Sequence, residues 1–453
     1  MPKKLLPKSL ASLATGLLLL TAACSGAGST GSGGGSDDQT ITALMVGNPQ
    51  MEDIQKLTAD NFTKQTGIKV KFTILPENEL RDKVTQDVAN QGGQYDVATV
   101  GAYEVPIWAK NGWLQELSTK ANADASYDTG DLLKPMVAAL TGDDGKMYGA
   151  PFYGESSFLM YNKDLFTAKG ITMPEHPTWD QVASYAAKLN DKSKGVAGIC
   201  LRGLPGWGEL FAPLTTVVNT FGGTWFEKDW TPKVNAPEFK QATQFYVDLV
   251  KKYGESGAPQ SGFTECLNTF GQGKAAMWYD ATSAAGTLED PNASKVAGHV
   301  GYVYAPVEKT DYSGWLWTWS WVMPKTTKKA DAAWKFISWA TSKDYENLVG
   351  SKLGWSRVPS GKRTSTYSIP QYQDSAKAFA DVTLGSIEHA NPQNPGLQPR
   401  PALGVQYVGI PEFADLGTKV SQEVSAAIAG STTVDKALDD GQQQAQTVAK
   451  TYQ

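Results

Sequence analysis

Between Gly314 and Pro324 the chain reads Trp-Leu-Trp-Thr-Trp-Ser-Trp-Val-Met, with Trp315, Trp317, Trp319 and Trp321 two residues apart. A period of two is that of a β-strand, and a strand here turns all four indoles to one face. A fold must bury that surface in a core or keep part of it in a cleft, where flat rings pack against the C–H faces of a carbohydrate-like ligand. The row is expected to divide. Two or three indoles go to the core and one or two line a cleft, because the first of them follow the turn Tyr312-Ser313-Gly314 and lie nearest a strand end.

The N-terminus points to export. Lys3, Lys4 and Lys8 precede an apolar run from Leu10 to Leu20 that is too short to span a membrane as a mature helix, the pattern of a secretory signal. The run ends Leu-Leu-Thr-Ala-Ala-Cys at Cys24 and resembles a bacterial lipobox, whose cysteine sulfur takes a diacylglycerol, although Thr21 stands where such boxes prefer an aliphatic residue. Residues 1–23 are therefore expected to be a lipoprotein signal peptide and Cys24 the lipid site. Residues 24–36, nearly all Gly, Ser, Ala or Thr, form a flexible linker that cannot bury apolar surface. The rival reading is a plain secreted protein that loses Cys24 with a slightly longer signal.

The remaining residues, about 415, exceed what one compact core usually holds and predict two globular lobes. Removing residues 1–23 takes away three lysines and no acid, leaving 38 basic against 46 acidic residues, a net −8 that argues against nucleic acid as a partner. Cys200 and Cys266, the only other thiols, either form a disulfide in an oxidising setting or stay as two buried thiols. No membrane-spanning run follows residue 24, so a transmembrane partner must be a separate chain.

Periodicity predicts strands at 40–46, 69–75 and 96–100 and helices at 53–65 and 77–90, a βαβαβ opening. Leu80, Val84, Val88 and Ala89 recur at helical spacing, and Gly67, Pro76 and Gly92-Gly93 punctuate the elements. Right-handed crossovers build a parallel sheet from such units, and ligands bind beyond the C-terminal ends of its strands, which draws attention to Thr99, Tyr103 and Glu104. After Pro151 a second unit is expected, with a strand at 157–161 and helices at 178–189, 236–253 and 330–341. The 236–253 helix carries Phe239, Ala242, Phe245, Tyr246, Leu249 and Val250 on one stripe.

The stretch Ala150-Pro-Phe-Tyr-Gly-Glu-Ser-Ser-Phe-Leu-Met-Tyr-Asn-Lys-Asp-Leu-Phe166 resembles the family of ABC-transporter extracellular solute-binding proteins for carbohydrates. So do Gly271-Gln-Gly-Lys-Ala-Ala-Met-Trp-Tyr-Asp280, Ala332-Ala-Trp-Lys-Phe-Ile-Ser-Trp-Ala-Thr341 and Ser431-Thr-Thr-Val-Asp-Lys-Ala-Leu438. A narrower likeness to the sorbitol/mannitol-binding branch rests on five further motifs. They are Gly93-Gln-Tyr-Asp-Val97, Tyr103-Glu-Val-Pro-Ile-Trp-Ala-Lys110, Gly203-Leu-Pro-Gly-Trp-Gly-Glu209, Trp315-Leu-Trp-Thr-Trp319 and Gly404-Val-Gln-Tyr-Val-Gly-Ile-Pro-Glu-Phe413.

The resemblance implies an α/β, two-lobed periplasmic-binding-protein fold with a hinge and a ligand cleft between the lobes. Crossings near 149–151, 296–298 and 327–330 would assign residues 37–149 and 297–327 to lobe I and 150–296 and 328–453 to lobe II. It also implies hinged closure on one solute, delivery to the transmembrane subunits of an ABC permease, ATP hydrolysis in other subunits and no cofactor. Neither a Gly-x4-Gly-Lys-Ser/Thr loop nor a dinucleotide fingerprint occurs outside the linker. The chain is expected to act as a monomer tethered to the outer face of the membrane.

Holding a polyol requires acceptors for neighbouring hydroxyls, donors for hydroxyl oxygens and an apolar ring against the carbon chain. Matched residue by residue, the acceptors are Glu155, Asp280 and Glu104. The donors are Arg202, Asn48, Gln406 and Arg357, and the rings are Tyr103, Tyr153, Trp207, Trp278, Trp317 and Trp355. Arg202 either touches ligand or holds Glu155 or Asp280 in place, Glu155 has a cross-lobe salt bridge as its alternative, and Asn48 either meets ligand or forms a turn with Pro49.

A glycoside hydrolase, which needs two carboxylates about one bond, is the rival from another class. Yet His176, His299 and His389 lie far apart, no His-Glu-x-x-His or Gly-x-Ser-x-Gly motif occurs, and Cys200 and Cys266 make no Cys-x-x-Cys, so metal and nucleophilic catalysis lack a constellation. An adhesive surface protein would show repeats, and none follows residue 36. Within the binding reading, a mono- or oligosaccharide is the alternative to a polyol.

Overall fold

The computed structural model describes residues 39–402 and 404–453. The signal peptide at 1–23, Cys24 and the linker at 24–36 lie outside the described residues. Eight strands run in chain order: β1 Thr40–Val46, β2 Lys69–Leu75, β3 Val97–Gly101, β4 Gly149–Glu155, β5 Ser157–Asn162, β6 Met277–Ala281, β7 Val300–Tyr304 and β8 Trp317–Val322. They form two sheets, one ordered β2-β1-β3-β8-β4 and one ordered β6-β5-β7. In the first, β1 pairs in parallel with β2 and β3, as the βαβαβ reading requires, while β8 runs antiparallel to both β3 and β4. The second sheet is antiparallel throughout.

The first helix begins at Pro49 rather than at residue 53. Asn48 caps it, its Oδ1 accepting from Met51 N at 3.1 Å, and proline fits the first helical position because that N–H has no helical partner. The helical path runs on through a π-helical turn at Thr58–Thr63 to Thr66. The Glu77–Ala89 helix places Glu77 and Glu79 in its first turn, where the helix dipole favours acids, and buries Leu80, Val84 and Val88.

Strand β8 is central in the first sheet, so its residues are buried along their whole length. Trp321 is fully buried and meets Phe336 edge-on at 5.2 Å. The other three indoles line a cavity between the lobes, so the row divides one to three, with more of it in the cleft than the sequence suggested.

Strand pairing moves the expected lobe boundaries. The first crossing is Ser156, between β4 of one sheet and β5 of the other, not 149–151. Strand β7 pairs with β5, which carries residues 300–304 into the second lobe rather than the first. The Ala330–Ala340 helix, assigned by sequence to lobe II, packs on the first sheet because Phe336 nests against Phe72, Trp321 and Phe62. The following Lys343–Leu353 helix stays beside it through Tyr345 on Phe152. The chain then returns to the second lobe, where the Phe413–Ala429 and Val434–Ala449 helices pack on the Pro237–Tyr253 helix. No described helix is long and apolar enough to cross a membrane.

Cys200 and Cys266, both fully buried, form a disulfide spanning 66 residues within the second lobe. Closing a loop of that length removes unfolded-state entropy equivalent to about 4 kcal/mol. The Cys200→Ala/Cys266→Ala double variant is therefore expected to unfold at lower denaturant with a loss of about 2–4 kcal/mol, measured by urea titration of far-ultraviolet circular dichroism.

Candidate ligand-binding site

The cavity lies beyond the C-terminal ends of β1 and β2, where a parallel sheet presents its loops. It has a volume of about 340 Å³. The first lobe contributes Asn48 after β1, Glu77 and Arg81 after β2, Tyr153 and Glu155 on β4, and Trp317 and Trp319 on β8. The second lobe contributes Arg202, Glu209, Phe263, Ser283, Gln406 and Tyr407. Trp315, in the segment between β7 and β8, completes the indole wall.

Two buried guanidiniums organise these walls. Arg202 binds Asp280 through two parallel bonds, Nε to Oδ2 at 2.8 Å and Nη2 to Oδ1 at 2.6 Å. Its Nη1 donates to Glu209 Oε2 and to the Gly208 carbonyl, each at 3.2 Å. That leaves one Nη2 N–H without a partner among the described residues. Phe263 packs under the guanidinium at 5.3 Å. Asp280 is fully buried; Trp278 Nε1 and the Ala281 amide hold it at 3.1 and 2.7 Å. Burial would lower the Arg202 pKa, but Asp280 and then Glu209 outweigh it and hold the group charged.

Arg81 has the same plan. Nη2 and Nε donate to Glu77 Oε1 at 2.8 and 3.2 Å, and Nη1 to Glu104. Its guanidinium lies against Trp207, Trp319 and Trp317 at 4.2, 5.1 and 5.3 Å, which adds cation–π attraction. Burial works to lower its pKa, and Glu104 with Glu77 more than reverses this. Gly208 is what allows the second lobe to approach: a Cβ there would stand 2.7 Å from Glu77 Oε1 and 2.9 Å from Arg81 Nε. On the other side, a Cβ on Gly101 would fall 1.8 Å from Trp317, so only glycine lets that indole lie flat over β3.

Glu155 is the carboxyl left over. It forms no ion pair among the described residues, and Ser283 Oγ, from the other lobe, donates to its Oε2 at 2.5 Å. Burial pushes its pKa from 4.5 up to about 8 against the opposing pull of Ser283 and Arg202. Burial and the neighbouring Glu77 also hold Glu209 above the usual range. Gln406 Oε1 is buried with no donor among the described residues and offers a further acceptor on the wall. The lobes meet over the cavity: Asn78 Nδ2 donates to the Pro205 carbonyl at 2.9 Å, Gln50 Nε2 to the Ser283 carbonyl at 3.0 Å, and Tyr103 OH to the Ile410 carbonyl at 2.6 Å.

Of the residues proposed from sequence, Asn48, Tyr153, Glu155, Arg202, Trp317 and Gln406 line the cavity. Asn48 does so while its Nδ2 donates to Tyr153 OH at 2.9 Å. Tyr103, Glu104, Trp207, Trp278 and Asp280 stand behind the wall and orient it: Tyr103 packs on Trp207 at 4.5 Å with the rings tilted, and Glu104 and Asp280 fix the two arginines. Trp355 and Arg357 are elsewhere. Trp355 packs on Gly350, and Arg357 binds Asp53 at 2.9 and 2.8 Å and Asp290 at 3.0 Å, which uses its donors outside the cavity. Sequence reasoning missed Glu77, Arg81, Trp319, Glu209, Phe263, Ser283 and Tyr407. The strand-end rule applied to β3 reaches Glu77 and Arg81 when applied to β2, and Glu209 closes a motif in which only Trp207 was singled out.

The geometry is that of a small cavity between two lobes, walled by indoles and by hydrogen-bonded carboxyl and guanidinium groups. With both oxygens committed to Arg202, Asp280 has no role as a nucleophile or base opposite Glu155. A profile of the bacterial extracellular solute-binding proteins matches residues 48–347. A mannitol-binding protein of Pseudomonas aeruginosa is 42% identical over 406 residues, which span 89% of this chain and 92% of that one. Among solved structures, an ABC-transporter solute-binding protein of Agrobacterium vitis with bound D-mannitol superposes with a TM-score of 0.89 at 52% identity, covering 91% of this chain and 99% of that one. Another, from Agrobacterium radiobacter in complex with ribitol, gives 0.79 at 25% identity, covering 90% and 98%. The chain belongs to the bacterial extracellular solute-binding protein family. It is a two-lobed binding protein that works outside the cytoplasm, and not an enzyme.

The two wall carboxyls respond differently to removal. Asp280→Ala leaves the Arg202 charge buried without its main partner and is expected to cost about 3–5 kcal/mol of stability along with ligand binding. Glu155→Ala is expected to cost no stability near neutral pH, where the buried carboxyl is already unfavourable, while weakening binding at least about tenfold, measured by urea titration and calorimetry on each variant.

Ligand-free stability has a pH signature. Between 4.5 and about 8 the folded chain keeps Glu155 protonated while the unfolded chain has lost that proton. The contribution of this group is therefore complete below 4.5 and declines as pH rises to about 8. Glu155→Gln removes that decline, so the melting temperature of the variant minus wild type should grow across this window and level off above it.

Proposed function

We propose that this chain captures an acyclic polyol, a hexitol such as mannitol or sorbitol foremost, and delivers it to the transmembrane subunits of an ABC importer. The observation that carries the reading is the small interlobe cavity, whose indole wall faces paired carboxyl and guanidinium groups. Its volume of about 340 Å³ is at the low end for small-molecule sites, which suits one thin, flexible chain of hydroxyls. An oligosaccharide would need an extended groove with spaced rings, whereas this cavity is small and flanked by cross-lobe hydrogen bonds. The names and bound ligands of the relatives, mannitol in two and ribitol in one, support the same class.

In this reading Glu155 and Gln406 accept from hydroxyls, Arg202 and Asn48 donate to them, and Trp317 with Trp319 lies along the carbon chain. Arg81, Asp280, Glu104 and Trp207 hold those groups in place. Solute touching both lobes favours the closed form, which the permease recognises. Cys24 carries the lipid that tethers a monomer to the outer face of the membrane, with residues 25–36 as its leash.

A thermal-shift screen of the chain from Asp37 onward tests this, because a ligand selective for the native state raises the melting point. Mannitol, sorbitol, arabitol or xylitol should raise it by several degrees and hexoses or maltose should not; a response confined to sugars overturns the polyol reading.

A further inference from the structure

The groups around the cavity are unequal in charge. Five carboxyls, those of Glu77, Glu104, Glu155, Glu209 and Asp280, surround two guanidiniums, those of Arg81 and Arg202. Each guanidinium is already shared by two carboxyls, Glu77 with Glu104 and Asp280 with Glu209. Glu155 is the fifth. It is 6% exposed, lines the cavity and has a hydroxyl, not a cation, as its hydrogen-bond partner. A carboxylate in such a place is costly unless a positive charge arrives with the ligand.

A second observation points to the same ligand chemistry. Glu155 on β4 stands directly opposite Trp317 on β8 in the antiparallel ladder, so the two side chains are neighbours on one face. An alkylammonium donating to Glu155 would lie against an indole, which attracts cations. We propose that, beyond neutral polyols, the cavity accepts hexitols in which a terminal hydroxyl is replaced by an amine, taken as the ammonium form with its nitrogen on Glu155, and refuses hexitols ending in carboxylate or phosphate. This rests on the polyol reading above. Neutral hexitols meet Glu155 as a protonated carboxyl that can both donate and accept, whereas an ammonium draws the proton off it.

The charged and titratable groups that face Glu155 set how readily it gives up that proton. Asp280 and Glu77 oppose ionisation, Arg202 and Ser283 favour it, and Tyr153 beside it stays protonated because burial and Glu155 both raise its pKa. With the empty-site value at about 8, binding of an ammonium near neutral pH should release a proton.

Titration calorimetry on the wild-type chain with 1-amino-1-deoxy-D-mannitol and 1-amino-1-deoxy-D-sorbitol, their parent hexitols, D-mannonate and D-mannitol 1-phosphate tests this. The runs span pH 6 to 8 in buffers of different ionisation heat. At pH 7 the amine that matches the preferred hexitol should bind within about tenfold of its parent. It should release protons on binding and tighten about tenfold or more from pH 6 to pH 8, with the parent showing neither effect and the two anions giving no heat. Glu155→Gln should lower the amine-to-parent affinity ratio about tenfold. An amine more than about a hundredfold weaker than its parent, or one binding without proton release, overturns the proposal while the polyol reading stands. A wild-type chain that binds neither parent hexitol brings down the polyol reading and this inference together.

Discussion

Burying a guanidinium without carboxylates is so costly that, once Arg81 and Arg202 are placed inside, much of the surrounding structure follows. Arg202 needs Asp280, and Asp280 must in turn be the fully buried end of β6, braced by Trp278 and its own chain. Arg81 needs Glu104, which ties the helix after β2 to the one after β3, and needs flat rings on its open faces, which Trp207, Trp317 and Trp319 supply. Trp207 comes from the opposite lobe, so one ion pair and its ring partners span the cleft. Of the groups left over, Glu155 and Gln406 line the cavity.

This plan separates residues that touch from residues that hold. A ligand entering this cavity would meet groups whose own geometry is over-determined, which reduces the ordering cost of binding. It also places the strongest interactions behind the wall, where they shape the site without competing for the ligand.

Much of the fold was legible because it is written in local periods. Strands β1, β2, β3 and β5 and the 77–89 helix fall close to where alternation, helical stripes and Gly/Pro punctuation put them. The lobe boundaries were not, since nothing local says which sheet β7 will pair with, or that Phe336 turns its helix onto β2 and β8. Half of the site was legible through motifs that carry polar residues at strand ends. Glu77 and Arg81 stayed hidden because four residues apart on a helix they read as an ordinary surface ion pair; what makes them part of the site is the arrival of Trp207 and Glu104 from distant segments. Arg357 misled for the opposite reason, being a lone arginine beside a tryptophan whose partners, Asp53 and Asp290, only the folded chain brings together.

The concentration of indoles where the lobes meet has an optical consequence. Trp207 belongs to one lobe and Trp317 and Trp319 to the other, and Trp207 and Trp317, both buried, lie 6.2 Å apart in a T-shaped contact with the Arg81 guanidinium beside them. Any opening of the cleft draws Trp207 away from Trp317 and from Arg81, which stays with Trp317 and Trp319 in the first lobe, and hydrates the rings. The molecule thus carries a built-in fluorophore array whose ultraviolet emission reports the angle between its lobes, so capture and release can be followed in real time on the unlabelled chain.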